Sequence, residues 1–224
     1  MAKRKLKHFA ENLTFPHFFQ PTPNELIAGF NLKGKWKSHF FHNNNPIVIE
    51  LGCGKGEYTV QLAKANPNIN YIGIDIKGAR MWNGASTSLK EKLVNTAFLR
   101  TRIELTYLTF EENEIDEIWI TFPDPQPKKS KQNKRLTSPK FLNIYSKFLK
   151  KNGIIHLKTD NIQLFEYTLE VIKNNKHKLI SATYDLYSQT NLSYAQQIKT
   201  FYENMFLQQN LKICYLEFTL NNDN

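Results

Sequence analysis

Residues 50–56 read Glu50-Leu51-Gly52-Cys53-Gly54-Lys55-Gly56 and stand between a short β-branched run, Ile47 to Ile49, and a stretch with helical spacing. Glycines at a strand-to-helix turn permit positive φ and let a ligand lie against bare backbone, and the helix start offers free N–H groups. A second acid, Asp75, ends the next predicted strand, about 20 residues beyond the glycines, where a carboxylate can accept both hydroxyls of a ribose. A nucleoside-bearing cofactor suits this arrangement, and both a dinucleotide and S-adenosylmethionine satisfy it. A dinucleotide has a pyrophosphate to cradle and its fingerprint sets the third glycine one residue later. S-adenosylmethionine has a sulfonium and an amino group and no phosphate, so an acid at Glu50 beside the turn favours it.

The fourth predicted strand ends in Phe122-Pro123-Asp124-Pro125-Gln126-Pro127-Lys128, followed by Lys129, Lys131, Lys134 and Arg135. Ligands of open parallel sheets lie beyond the carboxyl ends of the strands, which puts Asp124 in one crevice with Glu50 and Asp75. By composition alone the same segment reads as a Pro-rich turn and a solvated basic run. Together with the glycine turn it resembles the bacterial tRNA (guanine-N7-)-methyltransferase family, whose signature is Phe-Pro-Asp-Pro, a Lys, then Asn-Lys-Arg. Here these are Phe122 to Pro125, Lys128 and Asn133-Lys134-Arg135. The resemblance runs through residues 46–220 and includes Trp82-Asn83-Gly84-Ala85, Thr159-Asp160 and Thr200-Phe201-Tyr202-Glu203.

The resemblance implies a class I S-adenosylmethionine methyltransferase that forms N7-methylguanosine in the tRNA variable loop. It assigns cofactor contacts to Glu50, Asp75 and Asp124, and Gly52, Gly54, Gly56, Ile76, Arg102 and Ile103 are expected beside the cofactor with them. It assigns tRNA contacts to Lys128, Asp160, Thr200, Phe201, Tyr202 and Glu203. Where the family commonly carries an acid or amide beside the adenine, this chain has Arg102, which cannot accept from the adenine amino group and would serve by stacking or through its backbone. Guanine N7 presents an in-plane lone pair, so the catalytic role of Asp124 is expected to be positioning and charge stabilisation, without proton abstraction. Asp160 reads alternatively as the N-cap of the helix that follows.

The elements that must hold these residues alternate between β-branched runs and helical stretches, the mark of βαβ units. Strands are expected at Ile47 to Leu51, Asn70 to Ile76, Thr96 to Thr101, Glu117 to Phe122, Gly153 to Thr159, Lys178 to Asp185 and Lys212 to Leu220. Helices are expected at Glu57 to Ala65, Ala79 to Leu93, Pro139 to Lys150, Asn161 to Asn174 and Tyr194 to Gln209. The fold class is therefore a Rossmann-like, doubly wound, seven-stranded α/β domain with a mostly parallel sheet, over residues 46–224. Residues 1–45 carry Lys3, Arg4, Lys5 and Lys7 with Phe9, Phe15, Phe18 and Phe19 and show weak periodicity. They read as an irregular basic and aromatic arm suited to RNA phosphates and bases.

Within 224 residues, a formal charge of +10 points to a polyanionic partner. The two cysteines, Cys53 and Cys214, are too few and too far apart for a disulfide scaffold or a zinc site, and no metal is expected. No apolar run has the length of a signal peptide or a membrane span, so a soluble cytoplasmic monomer or homodimer is expected. Rival readings are a class I methyltransferase acting on another RNA or a protein, a non-catalytic tRNA-binding subunit, and an oxidoreductase. The last would need a proton donor such as a Tyr–Lys pair, and the subunit would need a broken cofactor turn.

Overall fold

A computed structural model of the chain describes residues 2–221, with side chains from Lys5 onward. The side chains of Lys3 and Arg4, read above as phosphate contacts, lie outside that range. The elements in chain order are α1 (Ala2–Asn12), β1 (Phe18–Phe19), α2 (Pro23–Ala28), β2 (Ile47–Leu51), α3 (Glu57–Ala65), β3 (Asn70–Asp75), α4 (Gly78–Lys90), β4 (Thr96–Arg100) and β5 (Ile115–Thr121). They continue with α5 (Pro139–Tyr145), β6 (Leu149–Thr159), α6 (Ile162–Asn174), β7 (Lys178–Thr183), α7 (Tyr194–Gln197), α8 (Phe201–Gln208) and β8 (Cys214–Thr219).

One eight-stranded sheet runs β1-β4-β3-β2-β5-β6-β8-β7. The strands from β1 to β6 pair in parallel, and β8 is antiparallel to both β6 and β7. All five residues of β2 are buried, as expected of a central parallel strand covered on both faces. The order reverses at β2, whose neighbours are β3 and β5, and this switch point is where a crevice opens beyond the strand ends.

The structure differs from the sequence reading at the N-terminus. Residues 2–45 are not an irregular arm: they supply α1, α2, a π-helical turn at Trp36–Phe41 and an eighth strand, β1, paired with β4. Trp36 is fully buried, donates its indole N–H to the Thr109 carbonyl at 3.0 Å, and meets Phe19, Phe40 and Phe110. Aromatic side chains that lack regular spacing still bury large areas, so periodicity alone could not register this packing. Helix α1 lies along α4, with His8 stacked on Trp82 at 4.0 Å and the Asn12 amide donating to the Gly78 carbonyl.

Two helices are shorter than their spacing suggests. The predicted helix over residues 139–150 stops at Tyr145, because Leu149 is taken into the sheet opposite Ile115. The one over residues 194–209 is broken at Ile198–Thr200, where backbone carbonyls turn toward a buried lysine and Thr200 caps a new helix. Tertiary partners outweigh local propensity in both places.

Candidate active site

Beyond the ends of β2, β3, β5 and β6 lies a cavity of about 500 Å³ whose wall includes Glu50, Gly52, Gly54, Asp75, Asp124, Asp160, Thr200 and Tyr202. A smaller recess, about 200 Å³, shares Gly52 and Asp75 with it and is lined by Ile76, Arg102 and Ile103. The elements that carry these residues are far apart in sequence and meet only because of the sheet order.

The glycine turn supports the floor. Gly52, Gly54 and Gly56 all have positive φ. Gly54 donates its N–H to Asp75 Oδ2 at 2.9 Å, and a Cβ there would meet nothing closer than the Gly52 carbonyl at 3.9 Å, so the turn leaves room for a ligand. Gly56 has a different task. A Cβ on it would come within 2.6 Å of the Phe98 ring and 3.2 Å of the Gly84 Cα in α4. It serves close helix–sheet packing and is not in the cavity wall.

Glu50 is buried, with one oxygen accepting from the Thr59 backbone N–H and hydroxyl and the other from the Thr121 hydroxyl. Burial outweighs these hydrogen bonds and, with the Asp75 charge, pushes its carboxyl up to about 7. Asp75 is half-buried and accepts from the N–H of Gly54 and of Lys77, leaving lone pairs toward the cavity. Asp160 is half-buried, its carboxyl raised by burial. The alternative reading of Asp160 as a helix cap is corrected here. The α6 cap is Asn161, whose side chain accepts from Leu164 N–H at 2.8 Å.

Asp124 is exposed on the loop after β5, where Oδ1 accepts from the Gln126 N–H at 3.0 Å. The loop is strained, with Phe122 at φ 49° and Gln126 at φ 46°, a conformation that persists only where the surroundings hold it. Arg135 does so. It is buried, stacks on Tyr167 at 4.3 Å, and donates to the Pro125 carbonyl at 3.0 Å and the Gln126 carbonyl at 3.2 Å. In the sequence this arginine closes a basic run that reads as solvent-facing. The run itself behaves as expected, with Lys128, Lys129, Lys131 and Lys134 all exposed. Lys134 reaches the cavity rim, whereas Lys128 is not in the wall.

The C-terminal motif is divided by its helix. Thr200 and Tyr202 line the cavity together with Phe206. Phe201 is exposed, with the Lys55 ammonium 3.9 Å from its ring centroid. Glu203 is fully buried and faces away from the cavity, toward Lys158. The spacing of residues 200–203 around a helix turn puts them on different sides, which the motif alone does not reveal. Thr59, Thr121, Lys158 and Phe206 are site residues that the sequence reading missed, and Arg135 was read there only as part of the signature's basic run. Among the described residues no cluster of His, Cys, Asp or Glu could hold a metal ion, and no helix is long and apolar enough to cross a membrane.

A family model described as "Putative methyltransferase" matches residues 44–216. The chain is 49% identical over 221 residues to the tRNA (guanine-N(7)-)-methyltransferase of Christiangramia forsetii, covering 98% of this chain and 99% of that one. It is 49% identical to the enzyme of the same name from Bacteroides fragilis, covering 98% and 87%. A relative of that name from Listeria innocua is 38% identical, with 93% of each chain covered. Among solved structures, an antibiotic-related methyltransferase superposes with a TM-score of 0.63 at 18% identity, covering 85% of this chain and 94% of that one. The 16S rRNA methyltransferase KamB superposes with a TM-score of 0.62 at 13% identity, covering 82% and 92%. Both of these methyltransferases share the fold of this chain.

Proposed function

The chain belongs to the tRNA (guanine-N(7)-)-methyltransferase family and is an S-adenosylmethionine-dependent enzyme of that activity, and from this premise we propose its target and the residues that act. The target is the guanosine of the tRNA variable loop, which also places the enzyme with the cytoplasmic tRNA pool. The observation that carries the site assignment is the convergence of Glu50, Asp75, Asp124, Asp160 and Thr200 on one cavity above a glycine turn.

The residues fit S-adenosylmethionine. Two-site logic applies: Asp75 takes the ribose hydroxyls beside the bare Gly54 backbone, and the recess of Ile76, Arg102 and Ile103 takes the adenine. Glu50, Asp75 and Asp124 give the cavity the negative charge that a sulfonium and an ammonium require. When bound, the cofactor supplies an electrophilic methyl group. Asp124, on its braced loop, stabilises the positive charge that develops on the purine. Asp160 and Thr200 hold the guanine edge, since N1 and N2 are donors and Asp160 can accept from both. Phe201 and Tyr202 at the rim offer faces to neighbouring bases, and Lys55, Lys128, Lys129 and Lys131 offer charge to phosphates. No residue removes a proton from N7, because none is there.

The test is to incubate the purified chain with labelled S-adenosylmethionine and tRNA lacking N7-methylguanosine, then map the product by chemical cleavage at that base. Cleavage at the variable-loop guanosine is expected. Label confined to ribosomal RNA, protein or another tRNA position would overturn the target.

A further inference from the structure

Strand β6 and the residue after it carry His156, Lys158 and Asp160 at alternate positions, hence on one side of the sheet. Asp160 reaches the cavity. Lys158, two residues earlier, does not, and its side chain is completely buried. Its Nζ lies 2.8 Å from Glu203 Oε1, which is equally buried, and donates to the carbonyls of Ile198 at 2.9 Å and Gln196 at 3.1 Å. An ammonium has three protons, and here it has three acceptors.

The carboxylate at the other end is just as fully used. Glu203 Oε1 also accepts from the Tyr187 hydroxyl at 2.5 Å, and Oε2 accepts from the Thr200 N–H at 3.3 Å. The Thr200 hydroxyl in turn accepts from the Glu203 N–H at 3.2 Å, closing a capping box at the start of α8. All four acceptors of this network, Gln196, Ile198, Glu203 and Thr200, therefore lie in one segment, and that segment presents Thr200, Tyr202 and Phe206 to the cavity. Burial draws the Lys158 ammonium below its ordinary value while the Glu203 charge pulls it back up. A buried pair of this kind costs desolvation and is weak evidence of added stability, but removing one partner strands the other charge.

We propose that Lys158 is a positioning residue for methyl transfer: through Glu203 and the two carbonyls it sets where the Thr200–Phe206 wall stands over the cavity, and so how the guanosine fits, without touching either substrate. The inference rests on the preceding reading that this wall meets the RNA. It also gives Glu203 a different role from the one its motif suggests, since its carboxylate is spent on Lys158, Tyr187 and Thr200 and not on guanine.

The test compares Lys158→Met with Lys158→Met/Glu203→Gln, in which no lone charge is left buried. In Lys158→Met, kcat/KM for tRNA should fall at least about tenfold, the scale of effect expected when a buried pair is broken. S-adenosylmethionine affinity by calorimetry should stay within about twofold, and the salt dependence of tRNA binding should not change, because Lys158 meets no phosphate. The double variant should regain stability, since no lone charge is buried, but little of the activity, because the carbonyls of Gln196 and Ile198 still lack their donor. Amide exchange without RNA should accelerate across residues 194–208 and remain slow in β2 to β5, a readout that holds even if the RNA target is not the one proposed. If Lys158→Met does not fold, Lys158→Arg replaces it, since a planar fork keeps the charge but cannot meet the three acceptors, and the same split is expected. Wild-type kcat/KM in the single variant, an equal loss of cofactor affinity, a flattened salt slope, or a double variant with wild-type kcat/KM would each overturn the proposal. Failure of the wild-type chain to methylate tRNA would instead sink the target assignment.

Discussion

At the scale of single residues, two carboxylates make opposite uses of their surroundings. Glu50 is buried and held up to about 7, so near neutral pH the unliganded protein carries it partly protonated. A cationic ligand favours the ionised form, so binding S-adenosylmethionine should release protons. Affinity should therefore level off above about pH 7 and weaken below it, by up to about tenfold per pH unit. Calorimetry in buffers of different ionisation enthalpy reads the proton count directly, and Glu50→Gln should abolish the release while weakening binding. Unchanged proton release in that variant would assign the effect to another group. Asp124, by contrast, is exposed, and in the reading proposed above it faces the incoming base. Asp124→Asn should slow single-turnover methylation by about tenfold and Asp124→Ala by more. With both substrates saturating, the wild type should show no basic limb near neutral pH. Full activity in Asp124→Ala would remove it from the mechanism, and a basic limb abolished in Asp124→Asn would restore proton transfer to it.

At the scale of elements, the loop from Pro123 to Arg135 joins two functions that look alike in the sequence. Lys129 and Lys131 point into solvent, whereas Arg135 is turned inward against Pro125, Gln126 and Tyr167. Lys129→Gln with Lys131→Gln should raise the tRNA KM and flatten its salt dependence, by up to about one unit of log–log slope for each phosphate no longer neutralised, leaving kcat in place. Arg135→Lys should do the reverse, lowering kcat with the salt slope intact, because an ammonium loses the planar stack on Tyr167 that aims the guanidinium at the two carbonyls of the Asp124 loop. Measuring KM, kcat and salt slope for both variants separates the roles, and a flattened slope in Arg135→Lys would place that residue on the RNA. Conversely, the glycine turn was legible as a turn with positive φ, although the packing of Gly56 against Phe98 was not. Its residues act through local backbone geometry, which a run of seven letters can encode.

At the scale of the whole molecule, the N-terminal segment is built into the sheet and its core. Phe18 and Phe19 extend the sheet beside β4, and Trp36 packs against both Phe19 and Phe110 in the core. Trp36→Ala removes a fully buried indole and its hydrogen bond, and should destabilise the protein by about 3 to 5 kcal/mol. Denaturant unfolding followed by circular dichroism checks this, and a loss below about 1 kcal/mol would mean that this segment folds apart from the domain.

The sequence by itself determined the alternation of strands and helices, the glycine turn, the acid at the end of β3 and the Pro-rich loop after β5. Each is written in local periodicity or in a short motif whose chemistry depends on neighbours in the chain. The packing of residues 2–45, the break in the last helical stretch, the inward turn of Arg135 and the burial of Glu203 were decided only by the tertiary structure. The physical reason is common to all four. Whether an aromatic is core or arm, and whether a charge faces solvent or a buried partner, depends on groups brought close by the sheet order. Lys158 and Glu203 stand far apart in the chain, and nothing in either's local sequence names the other. The burial that makes their pairing obligatory exists only once β6 is covered by the C-terminal segment.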